Sequence, residues 1–321
     1  MTRDNALFLD DSFPLPVDRP FTRSMALGAG LTDRRLGALV RDGCLRRSIE
    51  SVYVPTQVPD GLDLRAETLL LVVPDGCFVC DETAAWLHGA PMAMAPNSHL
   101  EVPKVSYFRP ADAGRLRNKL VTSGERTLTE DDLMEVRGIL TTTPLRTALD
   151  LGRLRRRDQA LAALDALLRL GVFTHEELLA SIERFARQRG VVQLRWLVPL
   201  ADGRAESAGE SALRLRWYDA GLPRPQLQIE IVVDGKVVFR LDLGLEELLF
   251  AAEYDGVEWH SSDDQVEADD SRRGWLAEQR RWLIEVFGKA NVHGFHQDAD
   301  RRLAAAFQQA KATYGTRTFI I

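Results

Sequence analysis

The sequence predicts a multi-domain α/β protein, and three observations support this. The chain has 321 residues, which is more than one ordinary domain uses. Its composition, 45% hydrophobic and 27% charged, is typical of globular proteins. Segments of alternating apolar and polar residues are interspersed with segments of helical periodicity. We predict three domains, spanning residues 1–60, 61–203 and 204–321.

The cellular compartment is indicated by two absences in the sequence. No apolar run approaches the roughly 20 residues of a membrane span, and the N-terminus has no signal-peptide pattern. The three cysteines, Cys44, Cys77 and Cys80, cannot form a disulfide framework. The Cys77-x-x-Cys80 spacing does not favour zinc, because residues three apart on a strand face opposite sides. We therefore expect a cytoplasmic protein with no membrane partner.

Charge is distributed unevenly along the chain. Residues 19–55 contain seven Arg and three acidic residues, whereas residues 205–321 contain 14 basic and 20 acidic residues, in a chain of net charge −6. This segregation favours a DNA-reading head joined to a metal-binding tail. The alternative is that two solvated surfaces simply differ in composition.

The basic head has the pattern of a winged helix. The sequence FTRSMALGAGLTDRRLGALVRDG predicts a short helix, a turn at residues 28–30, and a second helix capped at Thr32 or Asp33. A β-hairpin follows, and in such a domain the second helix enters the major groove while the wing approaches phosphates. A helical subdomain used for packing or protein contacts is the alternative. The predicted DNA-binding residues are Arg34, Arg35 and Arg41 on the helix and Arg46 and Arg47 on the wing.

The middle of the chain predicts a mixed α/β domain. Helices are expected at residues 64–73, 81–89 (capped at Asp81), 144–154, 158–170, 174–189 and 191–200. Strands are expected at CFVC (77–80), HLEVP (99–103) and MEVRGILTTT (134–143). The small, polar stretch 203–208 is the predicted linker to the tail.

Three stretches of the head and middle carry a family resemblance. They are the helix-turn-helix closed by VYVP, TAAWLHG at 83–89 and TTPLRTALDLGR at 142–153. Together they resemble the N-terminal DNA-binding region of AbiE-type antitoxins, over roughly the first 155 residues. The resemblance implies operator binding, often autoregulatory, without catalysis, and it makes a toxin a candidate partner.

The acidic tail predicts an α/β sandwich. A helix from ESAGES has Leu213 and Trp217 on its buried face, and Asp234-Gly235 marks a β-hairpin. The apolar run LLFAAEYDG indicates a central strand covered on both faces. A helix at 269–281, the strand WLIEVFG and a helix from Ala299 follow. This order places Asp242 and Glu253 on neighbouring strands.

Carboxylates in these strands point to metal chemistry. Glu253 and Asp255 lie two apart and face one side of a strand, so they repel each other unless a cation lies between them. Hydrolysis of a DNA phosphodiester requires a hydroxide and neutralisation of developing charge, both of which Mg²⁺ supplies, with Mn²⁺ as an alternative. The predicted metal ligands are Asp242, Glu253 and Asp255, with Glu210 completing the shell. His260 is the candidate proton carrier, and Arg272 is the candidate ligand of the scissile phosphate.

Several separated motifs of the tail carry a second resemblance. These are ESAGES with Arg214 and GLP, then Asp242, then EYDG followed by Trp259-His260, and Asp269-x-x-Arg272 with Leu276. They resemble the PD-(D/E)XK nucleases, in particular the restriction-endonuclease-like domains related to very-short-patch repair endonucleases, over nearly all of residues 204–315. The resemblance implies Mg²⁺-dependent DNA cleavage and makes a repair protein another candidate partner. Cleavage of both strands would favour a homodimer, whereas a nickase requires one active site.

One departure from the nuclease pattern affects the predicted mechanism. Asp255 stands where the superfamily has Lys, and a carboxylate cannot orient water or offset negative charge as an ammonium does. The acid or base role then passes to His260. The alternative function is a non-catalytic, antitoxin-like transcriptional regulator whose nuclease-like fold only binds DNA or protein.

Overall fold

The computed structural model describes residues 8–90, 104–111, 113–114, 121–256 and 280–315. Contacts between Cα atoms divide the chain into two units, Met1–Leu151 and Gly152–Ile321. Both units combine helices with β-sheets, so the predicted α/β class is confirmed at this level. None of the helices in these residues has the length and apolar character needed to cross a membrane. The three-domain division at residues 60 and 203 stays a prediction.

The first unit begins with a small helix-and-hairpin module. Its elements are β1 (Phe21–Thr22), α1 (Arg23–Gly28), α2 (Asp33–Arg41), β2 (Leu45–Ile49) and β3 (Val52–Pro55), with sheet order β1-β3-β2. Thr32 caps α2, because its side chain accepts the N–H of Arg35 at 3.2 Å. The core contains Phe21, Leu36, Leu39, Leu45 and Tyr53. The predicted succession of helix, turn, helix and hairpin is confirmed.

The rest of the first unit is a mixed sheet with helices. Its elements are α3 (Leu62–Leu70), β4 (Phe78–Val79), α4 (Asp81–Leu87), β5 (Val105–Pro110), β6 (Val121–Thr122), β7 (Glu125–Arg126), β8 (Leu133–Val136), β9 (Ile139–Thr142) and α5 (Pro144–Leu154). The strand order is β6-β5-β4-β9-β8, with β7 paired to β5. The predicted strand HLEVP lies outside the described residues.

The second unit packs helices on a four-stranded sheet. The helices are α6 (Arg157–Arg169), α7 (His175–Ala180), α8 (Val191–Leu197), α9 (Ala208–Asp219), α10 (Lys289–Val292) and α11 (Ala299–Tyr314). The strands are β10 (Gln226–Val233), β11 (Lys236–Leu245), β12 (Phe250–Asp255) and β13 (Leu283–Gly288), in that spatial order. β12 is an inner strand, as the apolar run predicted, and the structure adds that it pairs with β13 in parallel. Residues 269–279 of the predicted helix lie outside the described residues.

The helix α6 belongs to the same unit as the C-terminal sheet. Asp165 on α6 is fully buried and forms an ion pair with Arg214 on α9 at 2.6 Å, while Ser211 donates to the same carboxylate oxygen. Burial raises the pKa of Asp165. A Cβ at Gly203 would lie 2.9 Å from the backbone N of Arg169. The predicted linker 203–208 therefore lies against α6 inside this unit.

Two helix predictions require correction. Cys80, rather than Asp81, occupies the N-cap of α4, and the side chain of Asp81 is instead paired with Arg126. The helix predicted over residues 174–189 is shorter, because α7 ends at Ala180 and a 3-10 helix covers Ile182–Phe185. Arg187 then adopts a positive φ of 64°, which is incompatible with a continuing α-helix.

Candidate functional site

The exposed face of α2 carries two arginines separated by small residues. Leu36 and Leu39 are buried, whereas Arg34, Gly37 and Arg41 are exposed. Arg34 and Arg41 are seven residues apart, which is about 10 Å along a helix axis. Nothing lies within 4 Å of the position that a Cβ would take on Gly37. This face presents two cations with an open, low-relief surface between them.

The first turn of α2 is electrically neutralised by its neighbour. Asp33 accepts both Nε and Nη2 of Arg23, at 2.7 and 2.6 Å, and this fork-to-fork contact lowers the pKa of Asp33 through its hydrogen bonds. Arg35 is exposed on the same turn. The one carboxylate at the start of α2 is thus paired within the fold.

The two predicted wing arginines differ in their surroundings. Arg47 is exposed on β2, with its guanidinium carbon 5.8 Å from the centre of the Tyr53 ring. Arg46 is half-buried and donates from Nη1 to the carbonyl oxygen of Val58 at 2.8 Å. The geometry therefore presents Arg47 outward, while Arg46 connects the hairpin to the segment that follows it.

Asp242 lies where the β10–β11 hairpin changes face. Leu227 pairs with Leu243 and Ile229 with Leu241, so the register is the same on both sides of Gln228 and Asp242. Leu243 belongs to the core against α9, whereas Leu241 belongs to the cluster containing Trp282. Gln228 has a positive φ of 54° between these two pairs. The core leucines on either side of Asp242 therefore belong to two different clusters.

The carboxylate of Asp242 also occupies the end of the β11–β12 pairing. The last paired residues are Leu243 and Ala252, and beyond them the Oδ2 atom of Asp242 accepts the backbone N–H of Tyr254 at 2.7 Å. A side chain thus replaces the strand's own carbonyl as acceptor. Asp242 and Glu253 are the next residues on either strand, as the sequence predicted.

Glu210 is directed into the same region from α9. Its Oε2 atom accepts the backbone N–H of Glu206 at 2.8 Å and the Nε2 atom of Gln228 at 2.9 Å. Burial raises the pKa of Glu210. Glu206 lies before Ser207, the N-cap of α9, and pairs with Arg240 at 2.5 Å. Glu206 therefore lies outside the helix and does not share a helical face with Glu210.

Asp242 has a strongly perturbed acidity. Burial, together with the nearby carboxylates of Glu210, Glu253 and Glu206, raises its pKa to about 7, against the lowering effect of the Tyr254 N–H. The site therefore has an excess of negative charge in a partly dehydrated environment. Oxygen donors of this kind suit a hard cation such as Mg²⁺.

A contact that the sequence did not predict places α9 at this site. A Cβ on Gly209 would lie 2.0 Å from the ring of Tyr254, so only glycine permits the observed approach of the helix to β12. Tyr254 lies between Glu253 and Asp255 in sequence and points to the opposite face. The Gly209–Tyr254 contact fixes the first turn of α9, and hence the position of Glu210.

Of the remaining predicted residues of the metal site, the structure describes Glu253 and Asp255. Glu253 and Asp255 are half-buried neighbours on one face of β12. His260 and Arg272, with Trp259, Asp269 and Leu276, lie outside the described residues. Among the described residues, no three His, Cys, Asp or Glu side chains are grouped as a metal site would require. Glu210 and Glu253 lie close enough to Asp242 to raise its pKa, and the full ligand set stays a prediction.

A buried ion network in the first unit includes two charged residues of the antitoxin-like motif 142–153. Arg126 bonds Asp81 at 2.7 Å and Asp150 at 3.0 Å, and Arg146 bonds Asp150 at 2.8 Å and Asp132 at 2.7 Å. All five side chains are at most 9% exposed. Arg146 and Asp150 at i and i+4 were the available sequence signal. The five residues of this network hold β7, α4 and α5 together and are closed to an external ligand.

The middle of the chain matches a known domain. Residues 76–200 match the family model described as "AbiEi antitoxin C-terminal domain". TAAWLHG and TTPLRTALDLGR fall within the match, whereas the helix-turn-helix precedes it. The antitoxin resemblance is thus confirmed in part: it concerns the C-terminal domain of that family and extends through α8 rather than ending near residue 155. The resemblance of the helix-turn-helix to the DNA-binding region of these antitoxins stays a prediction. The nuclease resemblance of residues 204–315 stays a prediction.

Similar proteins occur in Mycobacterium tuberculosis. "Uncharacterized protein MT2308" of strain CDC 1551 / Oshkosh and "Uncharacterized protein Rv2248" of strain ATCC 25618 / H37Rv are each 36% identical over 256 residues, covering 80% of this chain and 90% of each relative. The solved structure titled "Crystal structure of RV2827C protein from Mycobacterium tuberculosis" aligns with 56% of this chain and 71% of that chain, at 14% identity and a TM-score of 0.30. The two uncharacterized relatives are similar to this chain over most of their length, and the chain belongs to their family.

Proposed function

We propose that the protein is a sequence-specific DNA-binding regulator of the antitoxin type. The first 60 residues act as a winged helix, and α2 enters the major groove with Arg34 and Arg41 directed at base edges. The observation that carries the proposal is the exposed arginine face of α2 in a chain that also contains an AbiEi antitoxin domain. Such a regulator acts on cytoplasmic DNA, and the antitoxin match implies a cognate toxin as its protein partner.

The geometry of α2 supports this role in two ways. The roughly 10 Å between Arg34 and Arg41 corresponds to about three base-pair steps of B-DNA. Gly37 lets the helix approach the groove closely, because no side chain stands between the two guanidinium groups. Arg is the residue that most often reads guanine, through two hydrogen bonds to its major-groove edge. Arg47 on β2 is placed to contact phosphate from the wing.

The proposal is tested by selecting genomic DNA fragments on the purified full chain and sequencing those retained. Affinity for the enriched site is then measured by fluorescence anisotropy for the wild type and for Arg34→Gln/Arg41→Gln. The matched control is Arg19→Gln/Arg137→Gln, which removes the same charge from exposed arginines of the same unit. We expect the α2 variant to lose about 100-fold or more and the control to retain most of the affinity. Equal losses in both variants, or the enrichment of no sequence, would contradict the proposal.

A metal-dependent DNA nuclease is the second candidate function. It is favoured by the pKa of Asp242, about 7, beside Glu210 and Glu253. Asp242, Glu253 and Asp255, with Glu210, would hold a Mg²⁺ ion, which supplies a hydroxide and neutralises charge on the phosphate. The Tyr254 N–H would hold the carboxylate of Asp242 in position, and Gln228 would hold that of Glu210.

The second candidate is tested with supercoiled, linear and mismatched DNA in the presence of Mg²⁺ or Mn²⁺. Asp242→Asn and Glu253→Gln are compared with Glu230→Gln, an exposed carboxylate on β10. Cleavage lost in the first two variants and kept in the third supports an enzyme. Metal-independent binding without cleavage by the wild type leaves the regulator as the function of the chain.

A further inference from the structure

We propose that the second unit carries a DNA-backbone-binding surface of its own, formed by arginines at the α5–α6 junction and in the loop before α8. This surface, called here the arginine patch, consists of Arg156, Arg187 and Arg189 with their arginine neighbours. It is distinct from α2, which lies in the first unit. It rests on the proposed DNA binding and adds a second contact to it.

The sequence concentrates positive charge in two short segments. Residues 153–157 are RLRRR, and residues 184–189 are RFARQR. Together they contain seven arginines and no acidic residue, in a chain whose net charge is −6. A local concentration of one sign in a protein of the opposite sign indicates a surface for an anionic partner.

The fold brings these two segments side by side. The Nε2 atom of Gln193 donates to the carbonyl oxygens of Gly152 and Arg155, at 2.8 Å each. Arg153 donates from Nη1 to the carbonyl oxygen of Arg189 at 3.1 Å. Two segments more than 25 residues apart are thereby joined into one surface.

Gly190 makes this approach possible. Its φ is +81°, and a Cβ at this position would lie 1.9 Å from the carbonyl oxygen of Arg153. A larger residue is excluded by both the backbone conformation and the contact. The loop is therefore specifically shaped to hold Arg187 and Arg189 beside the end of α5.

The arginines of the patch are presented to solvent. Arg156, Arg187 and Arg189 are exposed, and within the described part of the chain no hydrogen bond or ion pair occupies their side chains. At the edge of the patch, Arg157 pairs with Asp219 at 2.6 Å and lies 4.5 Å from the centre of the Trp196 ring. Three guanidinium groups are thus available to a ligand.

The start of α6 adds to the positive potential. This 13-residue helix has Arg156 at its N-cap, with no side-chain capping bond, so its first N–H groups point to the patch. The acidic residue of its first turn, Asp158, is paired with Arg216. Backbone and side chains together favour an anion here.

Phosphates of duplex DNA fit this surface better than a single anion does. Guanidinium groups bind phosphate through paired hydrogen bonds. Because the arginines come from two separate segments, they can contact several phosphates of one extended ligand. The patch contains no element shaped to enter a groove, so we expect contacts to the sugar-phosphate backbone without base selection. Each phosphate neutralised would add about 0.9 to the salt dependence of binding.

The test compares two variants of the full chain that lose equal charge. The patch variant is Arg156→Gln/Arg187→Gln/Arg189→Gln. The control is Arg224→Gln/Lys236→Gln/Arg301→Gln, which changes exposed cations elsewhere on the same unit. Binding to a fluorescent random-sequence duplex is measured at several salt concentrations between about 50 and 200 mM. Thermal unfolding verifies that both variants are folded.

The patch variant should lower the slope of log K against log salt by about 2 to 3, with the control close to the wild type. An unchanged slope in the patch variant overturns the inference, and so does an equal reduction in the control, which would indicate a general charge effect. Binding to single-stranded RNA is measured in the same way. If the patch variant loses RNA binding and keeps duplex DNA binding, the inference is also overturned. If the wild type binds no DNA, the proposed function fails as well. If the patch variant keeps the salt slope of the wild type while Arg34→Gln/Arg41→Gln still impairs DNA binding, the arginine patch is overturned and the proposed function is not.

Discussion

The carboxylate of Asp242 accepts the backbone N–H of Tyr254 at 2.7 Å, at the point where β11 and β12 cease to pair. A buried acid has thus been placed where the sheet opens, with its pKa raised to about 7 by burial and by neighbouring carboxylates. A group of this kind costs stability whenever it is ionised, which suggests that it is retained for binding rather than for folding.

Replacing Asp242 by Asn should stabilise the protein at high pH. Folded Asp242 keeps its proton up to about pH 7, whereas the unfolded residue releases it near pH 3.9. The folded state therefore binds more protons between these values, and wild-type stability falls as the pH rises through this window. We expect Asp242→Asn to be more stable by about 1–3 kcal/mol at pH 8, with a gap that shrinks toward pH 5. Urea unfolding at both pH values measures it.

The control for this prediction is Glu230→Gln, which removes an exposed carboxylate from β10. It should leave the pH dependence close to that of the wild type. A gap between Asp242→Asn and the wild type that is constant with pH would show that the effect does not arise from the titration of Asp242.

Cation binding at this site should depend on pH. A metal ion must displace the proton from Asp242, so affinity should rise up to tenfold per pH unit below about pH 7 and level off above it. Isothermal titration with Mg²⁺ and Mn²⁺ at several pH values checks this, in buffers that reveal proton release. The same affinity at pH 5.5 and 8, or unchanged binding by Asp242→Asn, would remove the site from consideration.

Gly209→Ala should disturb the placement of α9. The added Cβ would lie 2.0 Å from the Tyr254 ring, and we expect a loss of about 2–4 kcal/mol in the free energy of unfolding. Gly37→Ala is the matched control, since its Cβ would meet nothing within 4 Å and alanine favours a helix. The double variant Gly209→Ala/Tyr254→Leu should recover part of the loss. Equal effects of the two glycine substitutions would contradict the contact.

Removing one charge from the buried network of the first unit should be costly. Asp150 binds both Arg126 and Arg146, so Asp150→Asn leaves guanidinium charge uncompensated, and we expect about 3–5 kcal/mol of destabilisation. The control is Asp63→Asn, which breaks an ion pair with Arg137 that is 61% and 74% exposed and should cost below about 1 kcal/mol. Chemical unfolding of both variants provides the comparison, and similar losses would show that the network is not structural.

Local sequence signals predicted elements well where the cause is local. Thr32 caps α2, Asp234-Gly235 turns the β10–β11 hairpin, and the apolar run of β12 forms an inner strand, because each depends on neighbouring residues. The prediction that Asp81 caps α4 was wrong, because its side chain is paired with Arg126, 45 residues away in sequence.

The candidate site was predictable only in outline. Strand alternation indicated that Asp242 and Glu253 would be neighbours, but nothing in the sequence revealed the change of face at Gln228 and Asp242. The approach of Gly209 to Tyr254 likewise depends on tertiary packing rather than on local pattern. Arg146 and Asp150 belong to the motif that suggested an antitoxin family, and the structure adds that their charges are paired within the fold.

The proposed function depends on sequence-specific DNA binding by α2. The decisive measurement is the ratio of dissociation constants for a scrambled duplex and the selected site, made with one preparation at one salt concentration. We expect a ratio of at least about 10³ for the wild type, falling by at least tenfold in Arg34→Gln/Arg41→Gln. A wild-type ratio near one, or a ratio unchanged by the two substitutions, would show that α2 does not read the DNA sequence.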